Sequence, residues 1–187
     1  MSNLERLAKV PGLTPVDSCL ILTELATQVP ADQAIVELGV YKGRSVCYLA
    51  HGARKGNRSR VYGIDPWDLP GHRVPYGATV KKIKKYKFTE TSTKIEAHKN
   101  VRAQGMRPYV TLIQALSGDA ALEWDGGPVG LLYIDGDHRY DYVILDVTSW
   151  SQHLVPGATV VFDDYAKTHP EVVQAVDDLI EQGVLTD

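Results

Sequence analysis

The run Ile35-Val36-Glu37-Leu38-Gly39-Val40-Tyr41-Lys42-Gly43-Arg44-Ser45 constrains this chain more than any other stretch. Apolar residues end in an acid, then a glycine, then a second glycine four residues on, then helix-like sequence. A buried parallel strand that stops at a tight turn and passes into a helix has this form. Gly39 can take a backbone conformation that a side chain forbids, and without a Cβ it lets a ligand approach the main chain. Gly43 and Ser45 fall at the helix start, where unpaired N–H groups favour an anion. Glu37 stands just before the turn, where a carboxylate can meet a ligand's cation or hydroxyls. Such a site suits a small zwitterionic nucleotide-like ligand better than a pyrophosphate. The dinucleotide fingerprint G-x-G-x-x-G is absent, because the spacing here is G-x-x-x-G.

The rest of the chain alternates in the same way. Helical spacing predicts a helix over Pro15–Val29 with Thr14 as its N-cap, then a strand at Gln33–Leu38 and a helix from Ser45. Further strands are expected at Arg60–Asp65, Val110–Ile113, Val129–Asp135 and Ala158–Phe162. Helices are expected at Thr91–Gln104, Gly118–Leu122, Tyr140–Leu154 and Pro170–Gln182, and a turn at Pro156-Gly157. Strands alternating with helices imply an α/β domain with a parallel sheet. Ligands of such sheets bind beyond the carboxyl ends of the strands. The acids Glu37, Asp65, Asp135 and the Asp163-Asp164 pair all fall at those ends. One acid there is a cap; one at nearly every strand end marks a site.

Composition bounds the function. The 187 residues fit a single domain, 1–187, with a substantial core. A net charge of -3 gives no global field toward nucleic acid or an anionic membrane. No apolar stretch is long enough to span a bilayer, and Met1–Lys9 lacks the apolar core of a signal peptide. Cys19 and Cys47 read as small buried residues, not a disulfide framework, which fits a reducing cytoplasmic setting. The pattern breaks at 66–106, which reads as a lid or insertion. It carries His72, Arg73 and Tyr76 as candidate acceptor-pocket residues. It also carries the basic run Lys81–Lys87, read as a solvated helix face.

These motifs resemble the class I S-adenosylmethionine-dependent methyltransferases, over about Ile35–Leu179. Glu37–Ser45 looks most like the catechol-type small-molecule O-methyltransferases. Tyr133-Ile134-Asp135-Gly136-Asp137-His138, with Leu154-Val155-Pro156-Gly157 and Phe162-Asp163-Asp164-Tyr165, is similar to the macrocin and mycinamicin sugar O-methyltransferases, which are metal-dependent. The resemblance implies a Rossmann-like fold and methyl transfer from S-adenosylmethionine to a hydroxyl of a small molecule, such as a natural-product sugar. Rival readings are the same fold acting on nucleic acid or protein, a non-catalytic nucleoside-cofactor-binding protein, and an iron site built on Asp135, His138 and Asp163-Asp164.

At matching positions the resemblance implies that Glu37, Gly39, Tyr41, Gly43, Ser45 and Asp135 bind the cofactor, with the backbone near Gly39 and the start of the Ser45 helix at its methionine end. It places Asp65 on the ribose, Trp67 over the adenine face, and Ser117 and Asp119 at the adenine edge. Asp119 reads equally well as a helix N-cap. Asp135, Asp163 and Asp164 match the ligands of a divalent cation, usually magnesium. Three oxygen ligands suit that hard ion. His138 matches the general base, with Asp135 beside it in the chemistry, and imidazole titrates near neutrality. Asp137 is placed to orient His138 or to serve as a spare ligand. The resemblance also implies that the last two strands of the family sheet are missing. An open sheet edge would then be left for a homodimer to cover.

Overall fold

The computed structural model describes residues 2–67 and 93–186. Strands β1 (Ala34–Leu38), β2 (Arg60–Asp65), β3 (Val110–Gln114), β4 (Val129–Ile134) and β5 (Leu154–Phe162) form one sheet. Their order is β3-β2-β1-β4-β5, and every pairing is parallel. The chain runs outward from β1 in one direction and then outward through β4 in the other. The switch point therefore lies between β1 and β4.

The described helices are α1 (Asn3–Leu7), α2 (Val16–Gln28), α3 (Arg44–Lys55), α4 (Thr93–Ala103), α5 (Ser117–Leu122), α6 (Tyr140–Ser151) and α7 (Pro170–Glu181). Every residue of β1 is buried, as a central parallel strand covered on both faces requires. One face packs Ile35, Val61 and Leu131 against Leu22 of α2 and Leu49 of α3. Thr23 joins these two helices by donating its hydroxyl to the Tyr48 carbonyl at 3.2 Å. The other face packs Val36, Leu38 and Leu132 against Trp150 of α6 and Leu179 of α7. Trp124 meets the Trp150 ring edge-on at 5.1 Å. Such pairs add about 1 kcal/mol beyond area burial.

The helix α4 sits over the β1 turn. Lys42 pairs with Glu96 at 2.9 Å, and Asn100 donates to the Lys42 carbonyl at 2.9 Å. Cys19 and Cys47 are free and buried. No described helix is long and apolar enough to cross a membrane.

Three details differ from the sequence reading. A short α1 precedes the predicted elements, closed by a capping box between Ser2 and Glu5. Pro15, not Thr14, is the N-cap of α2, because the Thr14 hydroxyl donates elsewhere, to Asp135. Pro156-Gly157 lies inside β5. Val129 pairs with Leu154 while Leu131 pairs with Thr159, so the surplus residues bulge there, with Gly157 at φ +80°. The predicted lid is described only at Pro66, Trp67 and from Thr93 onward; His72, Arg73, Tyr76 and Lys81–Lys87 lie outside the described residues.

Candidate active site

The β1 turn is wired to both neighbouring strands. Gly39 has φ +90°, and its N–H donates to the Ile64 carbonyl at 2.8 Å. A Cβ on Gly39 would stand 2.0 Å from the Asp135 carbonyl oxygen. Glycine here permits the close approach of the β4 end, and Gly39 also lines the cleft described below. Gly43, at φ +85°, leads into α3 without a side-chain cap. The first-turn N–H groups of that helix are thus left without a capping side chain.

Asp65 organises the turn from β2. Its Oδ2 accepts from the Val40 and Tyr41 N–H groups, each at 2.8 Å, and its Oδ1 from the Trp67 N–H at 2.6 Å. Tyr41 is thereby held at φ +50°. Trp67 is only 7% exposed; it packs in the core and donates its indole N–H to the Tyr41 carbonyl at 3.0 Å. The ring that was expected to cover adenine is a packing element of the turn.

A cleft opens between the segment before α2, the β1 turn and the end of β4, lined among others by Leu13, Thr14, Tyr41, Ser45, Asp65 and Asp135. Thr14 Oγ1 and Tyr133 Oη donate to Asp135 Oδ2 at 3.1 and 3.2 Å. Arg44 straps the segment down by donating to the Val10 and Thr14 carbonyls at 2.7 and 2.9 Å. The sequence reading missed this wall, because Leu13 and Thr14 belong to no periodic element. Burial, then the adjoining Asp163 carboxylate, raises the proton affinity of Asp135 well above the usual carboxylate range.

Glu37 does not reach the cleft. It is fully buried; Oε1 accepts from the Ser45 hydroxyl and Oε2 has no partner. Burial holds its carboxyl well above the usual range, against the opposing pull of the Ser45 hydrogen bond. It acts on the cleft only through Ser45. Ser117 and Asp119 stand apart from the cleft lining as well. Ser117 accepts from the Trp150 indole at 3.1 Å, tying α5 to α6. Asp119 is exposed in the first turn of α5, whose N-cap is Leu116.

Beyond β4 and β5 the expected metal ligands divide. Asp163 lies beside Asp135, close enough to raise its proton affinity. Asp164 turns the other way, with Oδ2 3.4 Å from His138 Nε2 and Oδ1 3.6 Å from His169 Nδ1. Among the described residues, Asp135, Asp163 and Asp164 do not draw together as one three-carboxylate cluster. Among the described residues, the group that does converge is His138, Asp164 and His169. Asp137, expected beside His138, instead binds Arg139 through both oxygens at 3.0 and 2.7 Å. Arg139 in turn lies 3.9 Å over the Tyr142 ring. His169 was not singled out from sequence, since a lone His before Pro170 reads as a helix start.

A parallel 3-2-1-4-5 sheet with an acid-lined cleft at its switch point is a Rossmann-like arrangement. The chain belongs to the methyltransferase domain family, whose model matches residues 36–165. An O-methyltransferase from Bacillus cereus, solved with S-adenosylhomocysteine, superposes with a TM-score of 0.67 at 17% identity, covering 100% of this chain and 80% of that one. The O-methyltransferase TomG from Streptomyces achromogenes, solved with S-adenosylmethionine, gives 0.65 at 19% identity over 100% and 80%. An uncharacterized protein of Acanthamoeba polyphaga mimivirus is 25% identical over 173 residues. That match covers 86% of this chain and 65% of the relative, so the chain spans about two thirds of the relative's length.

Proposed function

We propose that this protein transfers a methyl group from S-adenosylmethionine to a hydroxyl of a small molecule, with a natural-product sugar as the narrower acceptor class. The observation that carries the reading is the pairing of opposite charge preferences in one cleft. The uncapped start of α3 beside Ser45 favours a carboxylate, and Asp135 in the same cleft offers carboxylate oxygens to an ammonium. An amino-acid end group satisfies both. Asp65 lines the same cleft, and a carboxylate there can accept from ribose hydroxyls.

When bound, the donor supplies a sulfonium methyl; the acceptor oxygen bonds to that carbon as the carbon–sulfur bond breaks and the sulfur keeps the electron pair. The hydroxyl proton goes to His138 Nε2, which is buried and has no hydrogen-bond partner. Asp164 faces the imidazolium so formed. No step is assigned to magnesium; its support is limited to the Asp135–Asp163 pair, whose repulsion a cation would relieve. The test is transfer of labelled methyl from S-adenosylmethionine across a panel of hydroxylated acceptors that includes nucleotide sugars. Label on oxygen supports the reading. Failure across the panel, in a protein that also does not bind the donor, overturns it.

A further inference from the structure

We propose that His138, Asp164 and His169 form a binding site for a divalent transition-metal ion of the zinc or cobalt type, distinct from the three-carboxylate magnesium set expected from sequence. The inference does not rest on the methyl-transfer reading.

Three observations carry it. One donor atom from each residue lies within 4.8 Å of the other two. The contacts of 3.4 and 3.6 Å are too long for charge-assisted hydrogen bonds, which fall at about 2.7–2.9 Å. They leave one Asp164 oxygen facing each imidazole at a separation that an ion held at about 2.1 Å from its ligands can bridge. Second, His138 Nε2 is shut off from solvent and has no hydrogen-bond partner, although its side chain is about one third exposed. A nitrogen lone pair left so needs a proton or a cation. Third, Asp164 is held at φ +54°, an uncommon conformation for a residue other than glycine. That conformation sits where the carboxylate spans the two imidazoles, one oxygen toward each.

The local fold explains how residues five apart meet. The Ala166 N–H donates to the Asp164 carbonyl at 2.7 Å, and the His169 N–H donates to the Ala166 carbonyl at 2.8 Å. These turns bring His169 back toward Asp164, and His169 stands as the N-cap of α7 just before Pro170. The rings of His138 and His169 then meet edge-on at 4.8 Å. Thr168 Oγ1 lies 3.2 Å from His169 Nδ1; it is exposed and free to rotate away. Two imidazoles and one carboxylate suit borderline ions, whereas magnesium prefers oxygen ligands throughout.

The site has a consequence for chemistry. Nε2 of His138 either accepts a proton or ligates a metal. The metal-loaded protein is therefore one in which this base is withheld.

The test is Co2+ titration of the metal-free full chain, read by visible d–d absorption and by calorimetry, with Zn2+ and Mg2+ as competitors. The expected result is one Co2+ per chain, displaced by Zn2+ and not by millimolar Mg2+. His169→Ala and, as a gentler change, His169→Gln should each weaken binding at least about 10-fold, while Asp163→Asn leaves it unchanged. Binding insensitive to His169, binding lost in Asp163→Asn, or no d–d spectrum would each overturn the proposal. S-adenosylhomocysteine affinity of His169→Ala, measured in parallel, should equal that of the unaltered protein. That control shows the variant is folded and separates a failed metal site from a failed donor site.

Discussion

The two ends of the switch point are built differently. At the β1–β2 end, Asp65 fixes three main-chain N–H groups at 2.6–2.8 Å, and the turn is complete without any ligand. At the β4–β5 end, donor atoms face one another across 3.4 and 3.6 Å, and a buried nitrogen is unpartnered. The first region is preorganised by its own hydrogen bonds. The second is arranged so that a bound species completes it. In the proposed reading, binding and chemistry fall to neighbouring strand ends with opposite degrees of internal satisfaction.

The sharpest break between them is His138→Ala. It should leave S-adenosylhomocysteine affinity intact and slow methyl transfer at least about 100-fold, as loss of a general base does. Equal turnover, measured at saturating donor, would remove His138 from the chemistry. Asp65→Ala should do the reverse. It frees three N–H groups at once and should cost about 2–4 kcal/mol in stability, together with most of the donor affinity. Chemical denaturation and calorimetry check both, and unchanged affinity would take Asp65 out of the binding site.

A smaller effect is expected from Ser45→Ala. It leaves both Glu37 oxygens unpartnered and removes a cleft hydroxyl, costing about 1–3 kcal/mol by denaturant midpoint. A neutral result would mean that water replaces the hydroxyl.

The smallest change tests the buried acid itself. Glu37 has a raised pKa when folded, so its protonated form is the one the fold favours. Its contribution is fully present below the unfolded-state value of about 4.3 and is lost as pH rises toward the folded value. Glu37→Gln mimics the protonated acid. It should match the unaltered protein at pH 4 and be the more thermostable at pH 8. Equal melting temperatures at pH 8 would show that the buried carboxylate is compensated.

Much of this was legible in the sequence. Apolar runs closed by Asp65 and Asp135 placed β2 and β4 to within a residue, because buried parallel strands admit few other patterns. The Gly39–Gly43 turn and the start of α3 were legible for the same reason. What lay hidden depended on side chains crossing between elements. Thr14 reaches Asp135 over a sequence distance no pattern encodes. Asp164 takes φ +54°, which no spacing pattern announces, and faces His138 and His169. Spacing placed Glu37 at the strand end but could not show that its side chain is fully buried against Ser45.

The central claim is the donor cleft. Calorimetric titration with S-adenosylhomocysteine, with and without Mg2+, tests it most directly. The account predicts one site per chain with micromolar affinity, weakened by Asp65→Ala and indifferent to His169→Ala. No heat of binding in either condition, from protein shown to be folded, would contradict it.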